Sequence, residues 1–191
     1  MLDAEERGRV LSDLSQIRQA GFTLVELLIG IAVLAILITV AMPNFRSWTL
    51  NSQIRNAAES FRNGLQRARG EAVSRNTNVE LAILGGDTST AWEVRLPGSA
   101  VIDSRASSEG SRLVKRTVTP AGATTVTFSN LGRLTANSGA AAAFTLVEFD
   151  LDPAILEVRL SRELRVMVVG PAGSVRMCDP NAAPGSLSVC P

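Results

Sequence analysis

One stretch restricts the fold of this chain more than any other. Residues 22–42 are almost entirely apolar, and Glu26 is the one ionisable side chain among them. As a helix the stretch would rise about 31 Å, which matches the hydrocarbon core of a bilayer. A helix also satisfies its own backbone hydrogen bonds, as the lipid interior requires. The sequence therefore predicts a membrane-spanning helix; the alternative is a core helix that a soluble domain buries on every side.

The position of Glu26 adds a second constraint. A carboxylate inside lipid costs about 2.5–3.5 kcal/mol at the centre of a span and less near its end. Glu26 lies four residues after Phe22, close to one end of the apolar stretch. Two interpretations stay open: the side chain reaches the lipid headgroups, or a cation from a partner neutralises it.

The composition limits the chemistry that the chain can perform. The 191 residues carry a net charge of +1 and include no histidine and only two cysteines. Without histidine, neither a Ser-His-Asp nor a Cys-His nucleophilic site can be built, and two cysteines alone fall short of a zinc site. The sequence also lacks a phosphate-binding loop and a dinucleotide-binding glycine motif. We therefore expect no enzymatic activity, no metal and no cofactor.

The two cysteines lie close together in the sequence, at Cys178 and Cys190. In an oxidising compartment they can close a small loop, which would contribute about 3 kcal/mol in the chain-entropy model. In a reducing compartment they would be two free thiols. The disulfide therefore requires that the C-terminal part of the chain lies outside the cytosol.

After Pro43 the pattern becomes amphipathic. Apolar residues recur at steps of three and four, which predicts a helix with one buried stripe: Leu50, Ile54, Ala57, Ala58, Phe61, Leu65, Ala68 and Ala72. Pro43 lacks a backbone donor and clashes with the preceding turn, so we expect a kink there. The weak helix formers at residues 76–78 predict the end of the helix.

The remainder of the chain is typical of β structure. Alternating apolar residues predict strands, and turn residues separate them; the candidates are 79–84, 91–96, 112–118, 124–128, 144–151, 155–160, 164–169 and 174–178. Residues 103–111 and 136–143 are predicted to be loops. The expected fold class is α+β: a long N-terminal helix packed on a small antiparallel β-sheet domain.

The sequence G-F-T-L-V-E, from Gly21 to Glu26, followed by a long apolar helix resembles the class III signal of type IV pilins and type II secretion pseudopilins. The resemblance implies that a prepilin peptidase cuts after Gly21 and methylates the new terminal amine on Phe22. It also implies that Glu26 pairs with the amine of a neighbouring subunit. Pro43 stands where this family commonly has a helix-bending proline.

Two further phrases resemble the GspH/FimT family of minor pilins: A-R-G-E-A-V-S-R-N at residues 68–76 and R-V-M-V-V-G-P-A-G-S-V-R-M-C at residues 165–178. The resemblance implies a pilin-like fold with a leader peptide (1–21), a transmembrane and assembly helix (22–43), an amphipathic second helix half (44–76) and a periplasmic β-rich domain with a C-terminal disulfide loop (77–191). The protein would lie in the bacterial inner membrane, with its N-terminus in the cytoplasm.

The function implied is that of a subunit which joins other pilins in a type IV pilus or a type II secretion pseudopilus, initiating or capping the filament. One alternative is DNA uptake, because some FimT relatives bind DNA through a C-terminal G-R-x-R motif. Here residues 173–176 read G-S-V-R, so serine replaces one arginine; Arg176 remains, and Arg165 lies on the preceding strand. The interpretation that we favour is that Arg176 is an ordinary solvent-facing strand residue, because the domain carries no surplus of basic residues. A second alternative is a single-pass membrane protein unrelated to filaments.

Overall fold

The structure is a computed structural model that describes residues 21–139 and 141–191, without the side chain of Pro43. Apart from Gly21, the expected leader peptide lies outside the described residues. Among those residues the structure has one long helix, α1, nine strands and a short 3-10 helix, η1. Their bounds are α1 Leu24–Ser74, β1 Val79–Ile83, β2 Trp92–Arg95, β3 Val101–Arg105, β4 Val114–Thr119, β5 Thr125–Phe128, β6 Leu134–Thr135, β7 Leu146–Leu151, η1 Val158–Leu160, β8 Leu164–Val169 and β9 Ser174–Cys178.

The chain divides into two compact units, Met1–Pro43 and Asn44–Pro191. The second unit holds the core. All eight residues of the stripe predicted from the sequence are buried there, so the amphipathic pattern of residues 50–72 is confirmed. The ring of Phe61 lies 5.7 Å from that of Phe144 and 5.5 Å from that of Phe149, measured between centroids. This helix face therefore forms one wall of the hydrophobic core.

Helix α1 ends at a left-handed residue, close to the predicted position. Asn76 has a φ of 51°, and its N–H donates to the carbonyl of Val73 at 3.2 Å. The N–H of Thr77 donates to the carbonyl of Ala72, also at 3.2 Å. These two bonds form a Schellman motif, in which asparagine takes the place that glycine most often occupies.

The strands form two antiparallel sheets. One has the order β3-β2-β1-β5-β6, and the other has the order β4-β7-β8-β9. In the first, Leu81 of β1 lies opposite Val94 of β2; in the second, Val147 of β7 lies opposite Val166 of β8. The expected α+β class with a long N-terminal helix is confirmed, but the strands are divided between two sheets and do not form a single one.

Helix α1 and the first sheet approach each other closely at one glycine. A side chain at Gly64 would meet the indole ring of Trp92 at 3.0 Å. The indole Nε1–H of Trp92 donates to Ser60 Oγ at 3.1 Å, one turn earlier on the helix. A larger residue at position 64 would push the helix and β2 apart, so the local packing depends on this glycine.

The prediction that residues 103–111 form a loop is wrong over its first part. Residues 103–105 belong to β3, which pairs with β2 at the edge of the first sheet. This edge strand is mostly half-buried or exposed, so it tolerates polar residues such as Asp103, Ser104 and Arg105. It lacks the alternating apolar residues of an inner strand. Pairing with β2 determines its conformation, and the sequence pattern did not show it.

The prediction of a strand at residues 155–160 is also wrong, because that segment is a turn followed by η1. Asp152 explains the difference. Its carboxylate accepts a hydrogen bond from the N–H of Ala154 at 2.9 Å, and its carbonyl accepts one from the N–H of Ile155 at 2.8 Å. An aspartate before proline favours such a turn, which here ends the β structure after β7.

A buried arginine joins the two sheets. The guanidinium of Arg116, on β4, donates to the carbonyl of Gly85 at 2.6 Å and to that of Leu84 at 3.1 Å, both in the loop after β1. It also donates to the carbonyl of Ala91 at 3.2 Å. Burial lowers the pKa of Arg116 to about 10, and the nearby charge of Asp87 opposes this shift. Arg116 therefore holds the β1–β2 loop against the second sheet.

Candidate functional site

The first part of helix α1 presents an apolar surface without a partner in this subunit. Every residue from 21 to 42 is exposed. Among the described residues, α1 is the one helix long and apolar enough to cross a membrane. The exposed large apolar side chains of residues 24–42 run along the whole segment: Leu24, Val25, Leu27, Leu28, Ile29, Ile31, Val33, Leu34, Ile36, Leu37, Ile38, Val40 and Met42.

The residues expected to be processed lie at the start of this surface. Gly21 has open space around its Cα, and Phe22 is exposed. Thr23 caps the helix, because its Oγ1 accepts a hydrogen bond from the N–H of Glu26 at 3.2 Å. Cleavage after Gly21 and methylation of Phe22 stay predictions.

Glu26 is the one acidic residue in the first turn of α1, and its side chain is exposed. None of the ion pairs between described residues includes it. A carboxylate on an otherwise apolar surface can be neutralised by a cation of a neighbouring molecule, which would set the register between two such helices. The pairing of Glu26 with a neighbour's amine stays a prediction, and so does the kink at Pro43, which lies within α1.

The C-terminal cysteines form a disulfide, as predicted. Cys178, the last residue of β9, is bonded to Cys190 with a Cα–Cα distance of 5.0 Å. The N–H of Asp179 donates to the carbonyl of Ser188 at 2.7 Å inside the loop that this bond closes. The disulfide therefore fastens residues 179–190 to the edge strand of the second sheet.

The two arginines considered for DNA binding lie on adjacent strands of one sheet but differ in their surroundings. Arg165 is paired with two carboxylates: its Nε lies 2.7 Å from Glu163 Oε1 and 2.9 Å from Glu148 Oε1. The hydrogen bond with Glu163 raises the pKa of Arg165. Arg176, opposite Met167 in the register, is exposed. Because carboxylates engage Arg165, the two side chains do not form a free basic pair.

One contact between two distant segments was not predicted from the sequence. The Nδ2–H of Asn51, on α1, donates to the carbonyl of Leu160 at 2.9 Å, and the N–H of Arg162 donates to Asn51 Oδ1 at 2.8 Å. Trp48, Arg55 and Arg162 line a hollow of about 600 Å³ at this contact. Sequence patterns identify elements, and a pairing of one amide side chain with a backbone segment 109 residues away leaves no periodic signal.

Within residues 21–139 and 141–191, no group of three or more His, Cys, Asp or Glu side chains is placed to hold a metal ion. The features that could act are therefore the apolar helix surface with its single acid, and the loops and strands of the second unit.

Comparison with known families identifies both parts of the chain. Residues 57–173 match the family described as type II transport protein GspH, and residues 17–42 match the prokaryotic N-terminal methylation motif. No curated protein matches the sequence.

Three solved structures are similar to the chain. Two are crystal forms of the type IV minor pilin FimU of Pseudomonas aeruginosa. One is 22% identical with a TM-score of 0.48, over 73% of this chain and 98% of that one. The other is 20% identical with a TM-score of 0.46, over 69% and 98%. The third is the minor pseudopilin EpsH of the type 2 secretion system of Vibrio cholerae, 12% identical with a TM-score of 0.43, over 68% and 99%.

The methylation motif covers the start of the exposed apolar helix, which is consistent with anchoring in the inner membrane. The GspH match extends from the buried stripe of α1 to the turn before β9 and so spans more than half of the 191 residues. The chain belongs to the GspH family of type IV pilin-like and pseudopilin proteins, a family of structural subunits.

Proposed function

We propose that this protein is a minor pilin or pseudopilin subunit that enters a filament through residues 22–42 after removal of the leader. The supporting observation is that these residues are all exposed and carry one acid, Glu26. In the proposed filament, neighbouring helices cover this apolar surface, and Glu26 compensates the charged terminal amine on Phe22 of a neighbour.

The compartment proposed for the second unit is the periplasm. The Cys178–Cys190 disulfide supports this placement, because disulfides persist in oxidising compartments and are rare in the cytosol. The N-terminus would then lie on the cytoplasmic side, where the prepilin peptidase acts in this family. The helix would remain in the inner membrane until it is transferred to the filament.

The direct test of assembly removes the acid. A Glu26→Gln variant, and separately Glu26→Ala, should insert in the inner membrane as well as the wild type but should be depleted from purified pili or pseudopili. The reason is that the amine on Phe22 of the neighbour would be left without its counter-charge in a poorly solvated bundle. Quantitative immunoblots of membrane and filament fractions measure both quantities.

Glu59→Gln is the matched control, because Glu59 lies on an exposed position of the same helix and pairs with Arg55 at 3.4 Å. This variant should enter filaments normally. Normal incorporation of both Glu26 variants would remove Glu26 from the assembly mechanism.

Processing is tested by mass spectrometry of the membrane-bound protein. The proposal expects a polypeptide that begins at Phe22 and carries one additional methyl group. A terminus at Met1 would instead favour a single-pass membrane protein that does not assemble.

The finer part of the proposal is that the subunit initiates or caps the filament, which is the role that the resemblance to minor pilins implies. It predicts few copies per filament and a large loss of filaments on deletion of the gene. A subunit present along the whole filament would contradict it. DNA binding is not part of the proposal, since Glu148 and Glu163 both engage Arg165.

A further inference from the structure

Four large apolar side chains of the second unit are exposed at one end of the buried stripe. Phe45 and Trp48 lie on α1, with ring centroids 5.9 Å apart, and Trp48 is 67% exposed. Val158 and Leu160 lie in η1, and Val158 is 68% exposed. The two pairs are more than a hundred residues apart in the sequence.

Asn51 brings these two pairs together. Its side chain makes two hydrogen bonds to the backbone, one to the carbonyl of Leu160, the last residue of η1, and one from the N–H of Arg162, two residues later. Asn51 lies three residues after Trp48, and Trp48 and Arg162 line the same hollow. The amide side chain thus fixes η1 beside the turn of α1 that carries the aromatic pair.

The charged residues around these side chains are unevenly neutralised. Arg55 pairs with Glu59 at 3.4 Å, and Arg159 pairs with Glu157 at 2.5 Å. Asp179 also lines the hollow that contains Arg162, without an ion pair to it.

Two arginines remain available. Both Arg46 and Arg162 are exposed, and no ion pair between described residues includes either of them. Surfaces that lie in a lipid headgroup layer typically combine apolar and aromatic side chains with arginines that are not engaged in ion pairs.

The connection of the chain limits what can cover this surface. Phe45 follows Pro43 by two residues, and the helix between Pro43 and Asn51 is about 12 Å long. A span inserted up to Pro43 therefore keeps the surface within reach of the lipid headgroups of the same bilayer. Aromatic residues favour that region, and arginines are attracted to anionic lipids there.

We propose that an interfacial patch, formed by Phe45, Trp48, Val158 and Leu160 with Arg46 and Arg162, binds the anionic phospholipid headgroups of the membrane that holds helix α1. This inference depends on the membrane anchor of the proposed function. The patch adds a second contact between the subunit and the bilayer. It holds the second unit against the membrane before the subunit joins a filament.

The test uses the full chain reconstituted in vesicles, with tryptophan as the reporter. Trp48→Phe is the parent, so that Trp92, which is buried, is retained and its constant signal is subtracted. Val158→Trp in this parent places a reporter on the part of the patch that is remote from the span in sequence. Lipids with a nitroxide at the headgroup should quench this reporter severalfold more than a reporter at the opposite end of the unit.

The matched reporter is Leu131→Trp in the same parent. Leu131 is 73% exposed, and its neighbour Gly132 accepts a hydrogen bond from Arg69 Nε at 2.9 Å. Arg69 lies 18 residues after Asn51, about 27 Å further along α1. Quenching of this reporter should be weak in every vesicle.

The charge requirement is tested with phosphatidylglycerol and phosphatidylcholine vesicles. Quenching of Val158→Trp should be stronger in the anionic vesicles and should weaken with added salt. Arg162→Gln should lower the equilibrium constant for docking of the patch on anionic lipid by about fivefold, which is the effect of one basic residue near an anionic surface. Arg133→Gln, an exposed arginine beside Leu131, should leave the quenching unchanged.

Several outcomes overturn the patch. Equal quenching of the two reporters does so, and so does quenching that ignores lipid charge and the Arg162→Gln change. A Val158→Trp signal that responds only to protein density in the membrane would show that another subunit covers the surface. Extraction with alkaline carbonate separates the two proposals: released protein overturns both the anchor and the patch, whereas retained protein with an unquenched reporter overturns the patch alone.

Discussion

Residues 24–42 and residues 50–72 belong to the same helix, but they differ in how the subunit uses them. Every residue of the first segment is exposed, whereas the second buries a continuous stripe of eight apolar residues. Apart from Glu26, the first is apolar on nearly all sides, and the second combines an apolar stripe with charged positions on its other faces. A helix apolar on all sides needs lipid or other helices around it, while an amphipathic helix needs one partner surface.

This difference separates two roles within one element. The stripe stabilises the Asn44–Pro191 unit, which contains its own core. The first segment contributes nothing to that core, so its sequence is free to serve contacts outside the subunit. Substitutions in the two segments should therefore affect different measurements, and the following predictions test that separation.

The largest effect is expected at Phe61. Phe61→Ala removes a buried ring packed against Phe144 and Phe149 and should lower the free energy of unfolding by about 3–5 kcal/mol. Leu34→Ala, in the exposed apolar segment, should leave it unchanged. Chemical denaturation in detergent, followed by circular dichroism, measures both. An equal loss of unfolding free energy in the two variants would show that the two helix segments do not differ in their contribution to stability.

The disulfide should give the next largest effect. Replacing Cys178 and Cys190 together by serine opens a loop with a sequence separation of 12 and should lower the free energy of unfolding by about 3 kcal/mol. A reducing agent should destabilise the wild type and leave the double variant unaffected. Insertion of α1 in the membrane should not change, which a carbonate extraction checks.

A smaller loss is expected from a buried carboxylate. Glu80 is 1% exposed, and its Oε1 lies 2.7 Å from Arg95 Nε, a bond that raises the pKa of Arg95. Arg95→Leu leaves Glu80 with the Ser138 hydroxyl, 3.0 Å away, and should lower the free energy of unfolding by about 1–3 kcal/mol.

Glu93→Gln is the control for this site, because Arg95 Nη1 also contacts Glu93 Oε1 at 2.6 Å. The control keeps the partner of Glu80 and should be nearly as stable as the wild type in thermal unfolding. If both variants lose the same stability, the burial of Glu80 does not need a counter-charge.

The smallest effect should come from the exposed pair of Lys115 and Asp152. The hydrogen bond from Lys115, together with one from the N–H of Ala154, lowers the pKa of Asp152. The stability that this pair adds is present above the unfolded-state pKa, near 4, and is lost as the pH falls through the lower folded pKa. The stability difference between wild type and Lys115→Gln should be small at neutral pH and vanish in acid. If the stability difference between the two proteins persists in acid, it comes from packing of the Lys115 side chain and not from the ion pair.

The sequence predicted the parts of this fold that depend on repeating patterns. The stripe from Leu50 to Ala72 and most strands follow from spacing, because burial on one face imposes a period. The disulfide followed from two cysteines that lie close together in the sequence and from the expected oxidising compartment. The edge strand β3 and the turn at Asp152 were missed, since strand pairing and a local carboxylate contact decide them. Nor did the sequence indicate the burial of Glu80, because a charged residue in a strand normally faces solvent.

The proposed functional residues divide in the same way. Gly21, Phe22 and Glu26 were predicted from a short motif, and the methylation-motif match over residues 17–42 includes all three, while their individual roles stay predictions. Asn51 was not identified, because its importance lies in two hydrogen bonds to a segment that is distant in sequence. The interfacial patch could therefore be proposed only from the three-dimensional contacts.

The hydrogen bond between Trp92 and Ser60 has a practical consequence. Trp92 lies against the middle of the amphipathic segment of α1 inside the core, and Trp48 is exposed near the start of that segment. The emission of the first indole should change only when the helix leaves the sheets, while the second should respond to whatever surrounds the protein outside. With a single-tryptophan variant for each, one fluorimeter can follow unfolding and changes of environment separately, with no added dye.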